Sequence, residues 1–279
     1  MTITPTIKKD YLIKLAEKGI RNDGRKFNDF RDIEIETGIV SKAEGSAKVK
    51  IGNTQVMAGI KMDMGEPYPD SQGEGVMTTA AELIPLASPD FEAGPPRENA
   101  IELARVVDRG IRESKIIDVE KLCIEEGEKV WIVFIDLHIL DYDGNLFDAA
   151  SLAALSALMT AKIPVERVRP ILEKIQDKHP GIKKYLKEHK EDYPIPLSEP
   201  PISCTAVKFN NILVMDPSLD EEEIAEARLT VSTDEKGDIR AMQKGLTGGF
   251  TVDEIKKVIK DSIDNGKKIR KQLYKSVGK

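Results

Sequence analysis

The sequence predicts an α+β protein whose two halves each place β-strands before a helix that packs on them. The first observation is a hairpin pattern over residues 47–62, where apolar residues alternate with lysines around a Gly-Asn turn. The second is another hairpin pattern over residues 202–215. The third is that a helical pattern follows the strands of each half, over residues 148–161 and again from Thr251. Two such units predict a layered structure.

Local patterns also predict the earlier elements of the first half. Residues 8–18 form a short amphipathic helix, which a polar Arg-Asn-Asp-Gly-Arg turn follows. Residues 32–36 alternate as a half-buried strand does. Residues 75–83 predict a further strand, which we expect to pair with the hairpin. A Pro-Pro pair then precedes an amphipathic helix over residues 97–114.

The centre of the first half is a strand, a turn and a helix. Six apolar residues in succession, 130–135, predict a strand that is buried on both faces. Asp136 and His138 then fall on one face, which indicates a wetter rim there. We expect Asp148 to cap the helix that follows, whose small residues allow it to lie close to the strand.

An insertion and a second half follow the central helix. Residues 164–196 contain two short charged helical segments, 171–178 and 182–190, with little core of their own, so we interpret them as a surface linker. In the second half an acidic segment runs into a short helix, and a Thr/Glu capping box at residues 251–254 begins a long C-terminal helix. The predicted segments are an N-terminal helix and turn (1–30), a first half (31–165), a charged helical linker (166–197) and a second half with the C-terminal helix (198–279).

Composition excludes several classes of protein. Hydrophobic residues make up 40% and charged residues 32% of the 279 residues, and no apolar stretch reaches the roughly 18 residues that a membrane span needs. With no signal-peptide core either, we expect a cytoplasmic protein. Cys123 and Cys204 lie far apart in apolar contexts, which favours reduced, buried thiols over a disulfide or a metal pair. The three histidines form no metal-ligand pattern, so we expect neither a metal nor another cofactor.

The net charge of −6 argues against a general nucleic-acid binder, but the charge is uneven. Residues 256–279 hold nine basic and two acidic residues, a local net charge of +7, which leaves the rest of the chain at −13. Any contact with nucleic acid must therefore be local. The ordinary interpretation of the basic segment is a solvated helix face whose lysines favour the C-terminal end of the helix.

An arginine stripe on the helix over residues 97–114 is the strongest local candidate for a binding surface. Arg105, Arg109 and Arg112 are spaced four and three positions apart, so their side chains project from one face. Two interpretations fit this stripe. The arginines pair with acidic residues three positions before Arg105 and four after Arg109, or they hold nucleic-acid phosphates. Arg97, just before the helix, is a weaker candidate.

A set of short motifs resembles the ribonuclease PH superfamily across most of the chain, from Arg21 to Ile263. Each motif is weak alone, but they occur together in the order and at the spacing of the family: residues 21–25, 36–38, 45–47, 52–54, 141–144, 216–217 and 248–249. Within the superfamily, residues 102–109 (ELARVVDR) and 216–223 (DPSLDEEE) are most similar to the non-catalytic ring subunits of archaeal exosomes.

The resemblance implies a ribonuclease PH-like fold and a specific assembly. Members of the superfamily are phosphorolytic 3′–5′ exoribonucleases, in which inorganic phosphate attacks the RNA 3′ end and releases nucleoside diphosphates. Six such folds form a ring around an RNA channel, and in the archaeal exosome active and inactive subunits alternate as three heterodimers. The implied partners are a catalytic ribonuclease PH-like subunit, RNA-binding cap subunits and single-stranded RNA, with no membrane.

Three segments depart from the pattern of the active relatives. Phosphorolysis needs N–H and cationic donors for the attacking phosphate, and an acid or a carboxylate-held metal ion for the transition state. Where active relatives carry a Gly-Ser-Arg or Gly-Thr-Arg turn, residues 145–147 are Asn-Leu-Phe. Where they carry two aspartates six apart, this chain has Glu222 and Arg228. Where they carry paired basic residues before the arginine stripe, it has Glu98 and Asn99.

We therefore predict a catalytically inert ring subunit that completes the site of an active homologue, with no catalytic residue and no metal ligand of its own. The resemblance favours RNA phosphates as the role of the arginine side chains, which are Arg105, Arg109, Arg112 and, less strongly, Arg97. One alternative is an active homohexameric, phosphate-dependent exoribonuclease that trims tRNA 3′ ends. Another is an architectural subunit that never contacts RNA.

Overall fold

The computed structural model describes residues 6–278. Residues 1–5 and Lys279, which fall in the first and last predicted segments, lie outside this range. The helices are α1 (Thr6–Glu17), α2 (Glu98–Ser114), α3 (Leu146–Thr160), α4 (Val165–Ile175), α5 (Pro180–Glu188), α6 (Leu219–Glu223) and α7 (Val252–Ser276), with a 3₁₀ turn at Val119–Leu122. The strands are β1 (Ile33–Thr37), β2 (Gly45–Ile51), β3 (Thr54–Gly65), β4 (Val76–Leu83), β5 (Cys123–Glu125), β6 (Lys129–Asp141), β7 (Lys162–Ile163), β8 (Tyr193–Pro194), β9 (Ile202–Phe209), β10 (Ile212–Met215), β11 (Ala227–Thr233) and β12 (Ile239–Gly245).

The first sheet has the strand order β1-β2-β3-β6-β4, with β5 also paired to β6. Its strands are antiparallel except for β4 and β6, which run parallel with Val76 opposite Ile132. The expectation that residues 75–83 pair with the hairpin is therefore wrong. Parallel neighbours need a crossover connection, and α2 supplies it between β4 and β6.

The second sheet is antiparallel, in the order β10-β9-β11-β12. Every residue of β9 is buried because helices cover both of its faces. The Cys204 thiol donates to the Ser262 carbonyl of α7 (3.6 Å), whereas the next residue, Thr205, donates to Asp148 of α3. Successive side chains of a strand point to opposite faces, so α7 and α3 pack on opposite sides of this sheet. The predicted α+β layered architecture is confirmed.

Helix α3 lies between the two sheets, where it packs on β2, β3 and β9. Its alanine-rich sequence permits this close approach on several sides, and most of the helix is buried. The helix begins at Leu146, two residues before the predicted start, and Asn145 occupies the N-cap position with a φ of 56°. The expectation that Asp148 caps this helix is wrong, because Asp148 lies inside the first turn and its carboxylate faces the second sheet.

The central strand β6 alternates between buried and half-exposed residues. The prediction of burial on both faces is therefore wrong for Ile132 and Phe134, which are half-exposed on the same face as Asp136 and His138. The wetter face predicted from the two polar residues thus extends along the strand. The same alternation in β3 fits a first sheet with one well-covered face and one partly solvated face.

The insertion after α3 is not a peripheral linker. Its first helix begins six residues before the predicted start and includes Pro170. Leu172, Ile182 and Leu186 are buried in the main hydrophobic core, so the expectation of little core is wrong. Charged residues on the exposed faces of α4 and α5 obscured these inward apolar positions in the sequence.

Other expectations hold. The Thr251 hydroxyl accepts from the Glu254 N–H (3.3 Å) and the Thr251 N–H donates to the Glu254 carboxylate (2.7 Å), which confirms the predicted capping box of α7. Cys123 and Cys204 are free thiols, and Cys204 is buried as expected, but the expectation of burial is wrong for Cys123, which is partly exposed. Within residues 6–278, no helix combines the length and the apolar character that crossing a membrane requires. The boundaries of the four predicted segments stay a prediction.

A buried ionic cluster around Asp216 joins the N-terminal turn to the second half. Asp216 is fully buried directly after β10. Its carboxylate accepts from Arg25 Nη1 (2.7 Å) and from the backbone N–H, Nε and Nη2 of Arg31 (2.8, 2.9 and 2.8 Å). It also accepts from Asn145 Nδ2 (2.7 Å), which ties the start of α3 to the same group.

A second buried ion pair fixes the short helix α6. Arg21 donates from Nε and Nη2 to the two carboxylate oxygens of Glu221 (2.8 and 2.5 Å). Glu221 also accepts from the Ser218 N–H in the capping box of α6. Gly144 allows the close approach of this segment to the turn before α3, since its φ is +86° and a Cβ there would lie 2.5 Å from the Pro217 carbonyl. The next residue of α6, Glu222, is thereby held beside the start of α3.

Replacement of Asp216 by Asn should destabilise the fold by about 3–5 kcal/mol, because it removes the buried carboxylate with which both Arg25 and Arg31 pair. Burial disfavours the Asp216 carboxylate, yet hydrogen bonds and charge from Arg31 and the charge of Arg25 outweigh it and lower its pKa. Urea unfolding at pH 7 measures the loss. The matched control is Asp23→Asn, because Asp23 pairs with Arg25 at a more exposed position. This substitution should lower the free energy of unfolding by less than about 1 kcal/mol. Equal losses for the two variants would contradict this role of Asp216.

Candidate nucleic-acid interface

Helix α2 carries the candidate arginines and is held between the two sheets. It packs on β4 of the first sheet, on β12 of the second and on α3. Its buried face consists of small and aliphatic residues, which are Ala100, Leu103, Ala104, Val106, Val107, Gly110 and Ile111. The opposite face is polar and exposed. This strong segregation fixes the rotation of the helix, and with it the direction of the arginine side chains.

Three of the four predicted arginines come together. Arg105, Arg109 and Arg112 are exposed and line one groove of about 540 Å³ between α2 and β4. Arg97 does not join them. It occupies the N-cap position of α2, its side chain is 72% exposed, and it pairs with Glu92 at 2.5 Å beside a separate cavity.

The charge of Arg112 is compensated within the helix. Its Nε and Nη2 donate to the two carboxylate oxygens of Asp108 (both 2.9 Å), and Nη2 also donates to the Met77 carbonyl of β4 (3.0 Å). The hydrogen bond with Asp108 raises the pKa of Arg112. This forked pair leaves Arg112 fewer free donors for a ligand than its neighbours have.

Within residues 6–278, the guanidinium groups of Arg105 and Arg109 have no acidic partner. Arg109 donates to Gln243 Oε1 of β12 (2.9 Å), a neutral partner. Among residues 6–278, the side chain of Arg105 forms no hydrogen bond and no ion pair. The alternative pairing of Arg105 with Glu102 is absent, because Glu102 pairs with Arg228 instead. Helix salt bridges therefore account for Arg112 and leave Arg105 and Arg109 as two uncompensated cations at the groove.

Glu222 occupies the position at which an anion would approach the start of α3. Its Oε1 accepts from the Asn145 N–H (2.9 Å), and its Oε2 accepts from the Tyr142 hydroxyl (2.7 Å). A helix N-terminus attracts negative charge through its free N–H groups. Here a carboxylate of the same chain already takes that place. Burial raises the pKa of Glu222, while the hydrogen bonds from Tyr142 and Asn145 favour its charged form.

Arg228 takes part in the same cluster. Its guanidinium lies 4.0 Å from the centroid of the Phe147 ring and forms an ion pair with Glu102 of α2. The cation–π contact and the ion pair compensate the charge of Arg228 with partners in the same chain. Two of the segments that depart from the active pattern are thus in contact with each other, through Glu222 on Asn145 and Arg228 on Phe147.

The third departing segment lies apart from this cluster. Glu98 and Asn99 are exposed on the first turn of α2. Glu98 lines a cavity of about 370 Å³ with Arg105 and Gln243, whereas Asn99 faces the cavity beside Arg97. A carboxylate and an amide therefore stand where the active relatives have two cations. The first turn of α2 offers less positive charge than theirs.

Asp148 is a residue whose role the sequence did not reveal. Its carboxylate accepts from the Thr205 N–H (2.8 Å), the Thr205 hydroxyl (2.7 Å) and Asn145 Nδ2 (2.9 Å). The Thr205 hydroxyl in turn lies 2.9 Å from that of Thr230. Burial raises the pKa of Asp148 to about 7 against the favourable effect of these donors. The available signal was an acidic residue in an otherwise apolar helix.

Comparisons with known proteins agree with this geometry. The 3′ exoribonuclease family matches with its domain 1 over residues 29–164 and with its domain 2 over residues 199–264. The chain is 51% identical over 267 residues to the exosome complex component Rrp42 of Methanocella arvoryzae, which covers 96% of this chain and 95% of that protein. It also resembles a chain of the Archaeoglobus fulgidus exosome, solved with RNA bound to the active site, with a TM-score of 0.86, 46% identity and coverage of 96% of this chain and 98% of that one. A chain of an archaeal exosome core gives a TM-score of 0.82, 42% identity and 96% coverage of each chain.

The stability of the fold should depend on the ionisation of Asp148 between pH 4 and pH 7. The folded chain holds a proton on Asp148 up to a pKa of about 7, whereas the unfolded chain releases it near pH 4. The contribution of this protonation to the free energy of unfolding is therefore full below about pH 4, and it is lost as the pH rises to about 7. Asp148→Asn cannot titrate. Its Oδ1 can still accept from the Thr205 N–H and Asn145 Nδ2, and its Nδ2 would donate to the Thr205 hydroxyl.

Urea unfolding of both proteins from pH 4 to pH 8 tests this dependence. Relative to wild type, the Asp148→Asn variant should gain stability as the pH rises. A difference in the free energy of unfolding that stays constant across this range would show that Asp148 has an ordinary pKa.

Proposed function

This chain belongs to the 3′ exoribonuclease family of the ribonuclease PH type, and we propose that it is a ring subunit of an archaeal exosome core. Both family domains match, and relatives that span nearly the whole chain are named exosome complex components. The two solved structures described above come from archaeal exosomes. These relatives favour the exosome over a homohexameric enzyme that trims tRNA 3′ ends.

Within such a ring, we infer that this subunit does not catalyse phosphorolysis itself. The observation that carries this inference is the Glu222 carboxylate at the start of α3, which accepts from the Asn145 N–H at 2.9 Å. A phosphate there would meet a carboxylate and the side chains of Leu146 and Phe147 in place of cationic donors. Like charge repels, and an apolar side chain cannot neutralise an attacking anion.

We infer that the subunit contributes to the ring by binding RNA. Arg105 and Arg109 have uncompensated charge on an exposed groove, and guanidinium groups bind phosphate oxygens in a forked geometry. Contacts of this kind position the chain without reading its sequence. Arg112 and Arg97 are weaker members of this set, because Asp108 and Glu92 already neutralise them.

The role that follows is positioning for a partner. An RNA strand whose phosphates are fixed by this subunit would present its 3′ end to the site of an adjacent catalytic subunit with less loss of orientational freedom. The proposed assembly is a cytoplasmic trimer of heterodimers with a catalytic ribonuclease PH-like subunit, to which RNA-binding cap subunits attach and through which single-stranded RNA passes.

Phosphate-dependent RNA decay should require both ring subunits. The isolated chain should release no nucleoside diphosphate from single-stranded RNA in phosphate buffer, because it offers no site for the attacking anion. A mixture with the catalytic partner should be active and should exceed the partner alone. Chromatographic detection of diphosphates measures the product, with phosphate-free buffer as the control. Robust diphosphate release by the isolated chain would overturn the non-catalytic role.

Removal of two arginines should weaken RNA binding by the reconstituted ring. Arg105→Ala/Arg109→Ala should lower the affinity for single-stranded RNA by roughly tenfold and reduce the slope of log K against log salt by about 1.4, because two phosphate contacts are lost. The matched control is Lys257→Ala/Lys260→Ala, which removes the same charge from exposed positions of α7. Arg112→Ala should have a smaller effect than either Arg105→Ala or Arg109→Ala. Unchanged affinity and slope in the double arginine variant would favour the purely architectural alternative.

A further inference from the structure

An open cleft of about 650 Å³ lies between β5 and α5, away from the arginine groove. One wall belongs to the insertion, which falls between the two stretches that match the family domains. Six residues define this aromatic cleft for the argument below: Cys123, Glu126, Tyr185, Glu188, His189 and Tyr193. None of them belongs to the proposed RNA contacts or to the cluster of Glu222 and Arg228 at the start of α3.

The floor of the aromatic cleft is a rigid stack of rings. The His189 imidazole stacks on the Tyr193 ring with centroids 4.2 Å apart and an interplanar angle of 18°, and it packs on Tyr185 at 4.6 Å. The Tyr185 hydroxyl accepts from Trp131 Nε1 (2.8 Å) and lies 3.1 Å from the Tyr193 hydroxyl. The chain has one tryptophan, six tyrosines and three histidines. The gathering of four such residues here builds a preformed aromatic surface.

This floor carries no charge at neutral pH. Burial lowers the pKa of His189, so its imidazole is neutral. Burial also raises the pKa of Tyr185 and of Tyr193, so both phenols stay protonated. Neutral aromatic faces present the negative side of their quadrupole to a ligand.

The rim of the aromatic cleft is acidic. Two lysines also line the cleft, and each has an acidic partner: Lys121 pairs with Asp118 at 2.8 Å, and Lys184 lies 3.9 Å from Glu188. Glu126 is exposed and forms no ion pair with any residue from 6 to 278. The charges of Glu126 and Glu125, together with burial as the larger cause, raise the pKa of the Cys123 thiol inside the cleft. Three carboxylates (Glu125, Glu126 and Glu188) thus line the cleft against two lysines, which leaves the lining acidic by one charge.

We propose that the aromatic cleft docks a basic, extended segment of another protein through an arginine side chain. A guanidinium placed on the aromatic floor gains cation–π attraction and can pair with carboxylates at the rim, such as Glu126 and Glu188. Arginine suits the cleft better than lysine, because its planar head stacks on rings and binds a carboxylate with two donors. RNA does not suit it, because phosphates would meet the acidic rim. This inference goes beyond the RNA-binding role and does not rest on it.

Binding of a fluorescein-labelled Arg-Gly-Arg-Gly-Arg peptide to the full chain tests the proposal by fluorescence anisotropy. The wild-type chain should show saturable binding, and a Glu-Gly-Glu-Gly-Glu peptide should not bind. Glu126→Lys/Glu188→Lys should weaken the basic peptide at least tenfold, since both side chains lie on the exposed rim and their reversal repels a cation. The matched control, Glu34→Lys/Glu235→Lys, changes the net charge equally at exposed positions outside the cleft and should bind as wild type does.

Protection of Cys123 locates the bound peptide. Cys123 lines the cleft and is partly exposed, whereas Cys204 is fully buried and serves as an internal reference. Saturating basic peptide should slow alkylation of Cys123 by N-ethylmaleimide at pH 8.5 several-fold without affecting Cys204. A Tyr193→Leu variant, which removes one ring of the stacked pair, should lose this protection, and urea unfolding measured in parallel shows whether the variant is still folded under the assay conditions.

Several results would overturn the proposal. They are the absence of saturable peptide binding, equal binding by the rim reversal and its control, and alkylation of Cys123 that the peptide does not slow. Competition by a single-stranded RNA oligonucleotide would identify a nucleic-acid surface instead, and protection of Cys123 by self-association would identify a second copy. The rim reversal should leave RNA affinity unchanged, so failure here is distinguishable from failure of the proposed function.

Discussion

The buried charge of Asp216 is the interaction on which the rest of the arrangement depends. One carboxylate directly after β10 receives donors from Arg25 and Arg31 before the first sheet and from Asn145 at the start of α3. Since an uncompensated charge in that place costs several kcal/mol, the N-terminal turn, the central helix and the second sheet must keep one relative position. The neighbouring pair of Arg21 and Glu221 then fixes α6. The Glu222 carboxylate, which lies beside the start of α3, is therefore held in place by these ionic contacts.

Elements stabilised by local contacts could be predicted from the sequence, whereas those that depend on distant contacts could not. The two hairpins and the capping box of α7 follow from residues that lie within a few positions of each other. The parallel pairing of β4 with β6 depends on how the chain crosses over through α2. Asp148 shows the same limit, because an acidic residue near a helix start suits a cap or a buried acceptor. Only Thr205, more than fifty positions away, decides between the two.

The candidate site likewise contains some contacts that could be predicted from the sequence and others that could not. Helical geometry alone places Arg105, Arg109 and Arg112 on one face, so their clustering was predictable. The forked pair of Arg112 with Asp108 was not predicted, although its spacing of four residues is that of a helix salt bridge. The contact of Arg109 with Gln243 could not be predicted, since it spans the two halves. Family resemblance located the substituted positions, but only the fold shows that the Glu222 carboxylate accepts from the Asn145 N–H at the start of α3.

The surroundings of Arg228 make the departure from the active pattern difficult to reverse. Its guanidinium covers the Phe147 ring and neutralises Glu102. An aspartate restored at position 228 alone would uncover the ring and face the carboxylates of Glu102 and Glu222. A phosphate-binding turn restored alone would remove the ring on which Arg228 rests. Each of these changes alone would remove a contact that the other residue makes, so positions 147 and 228 are energetically coupled and their substitutions should not be additive.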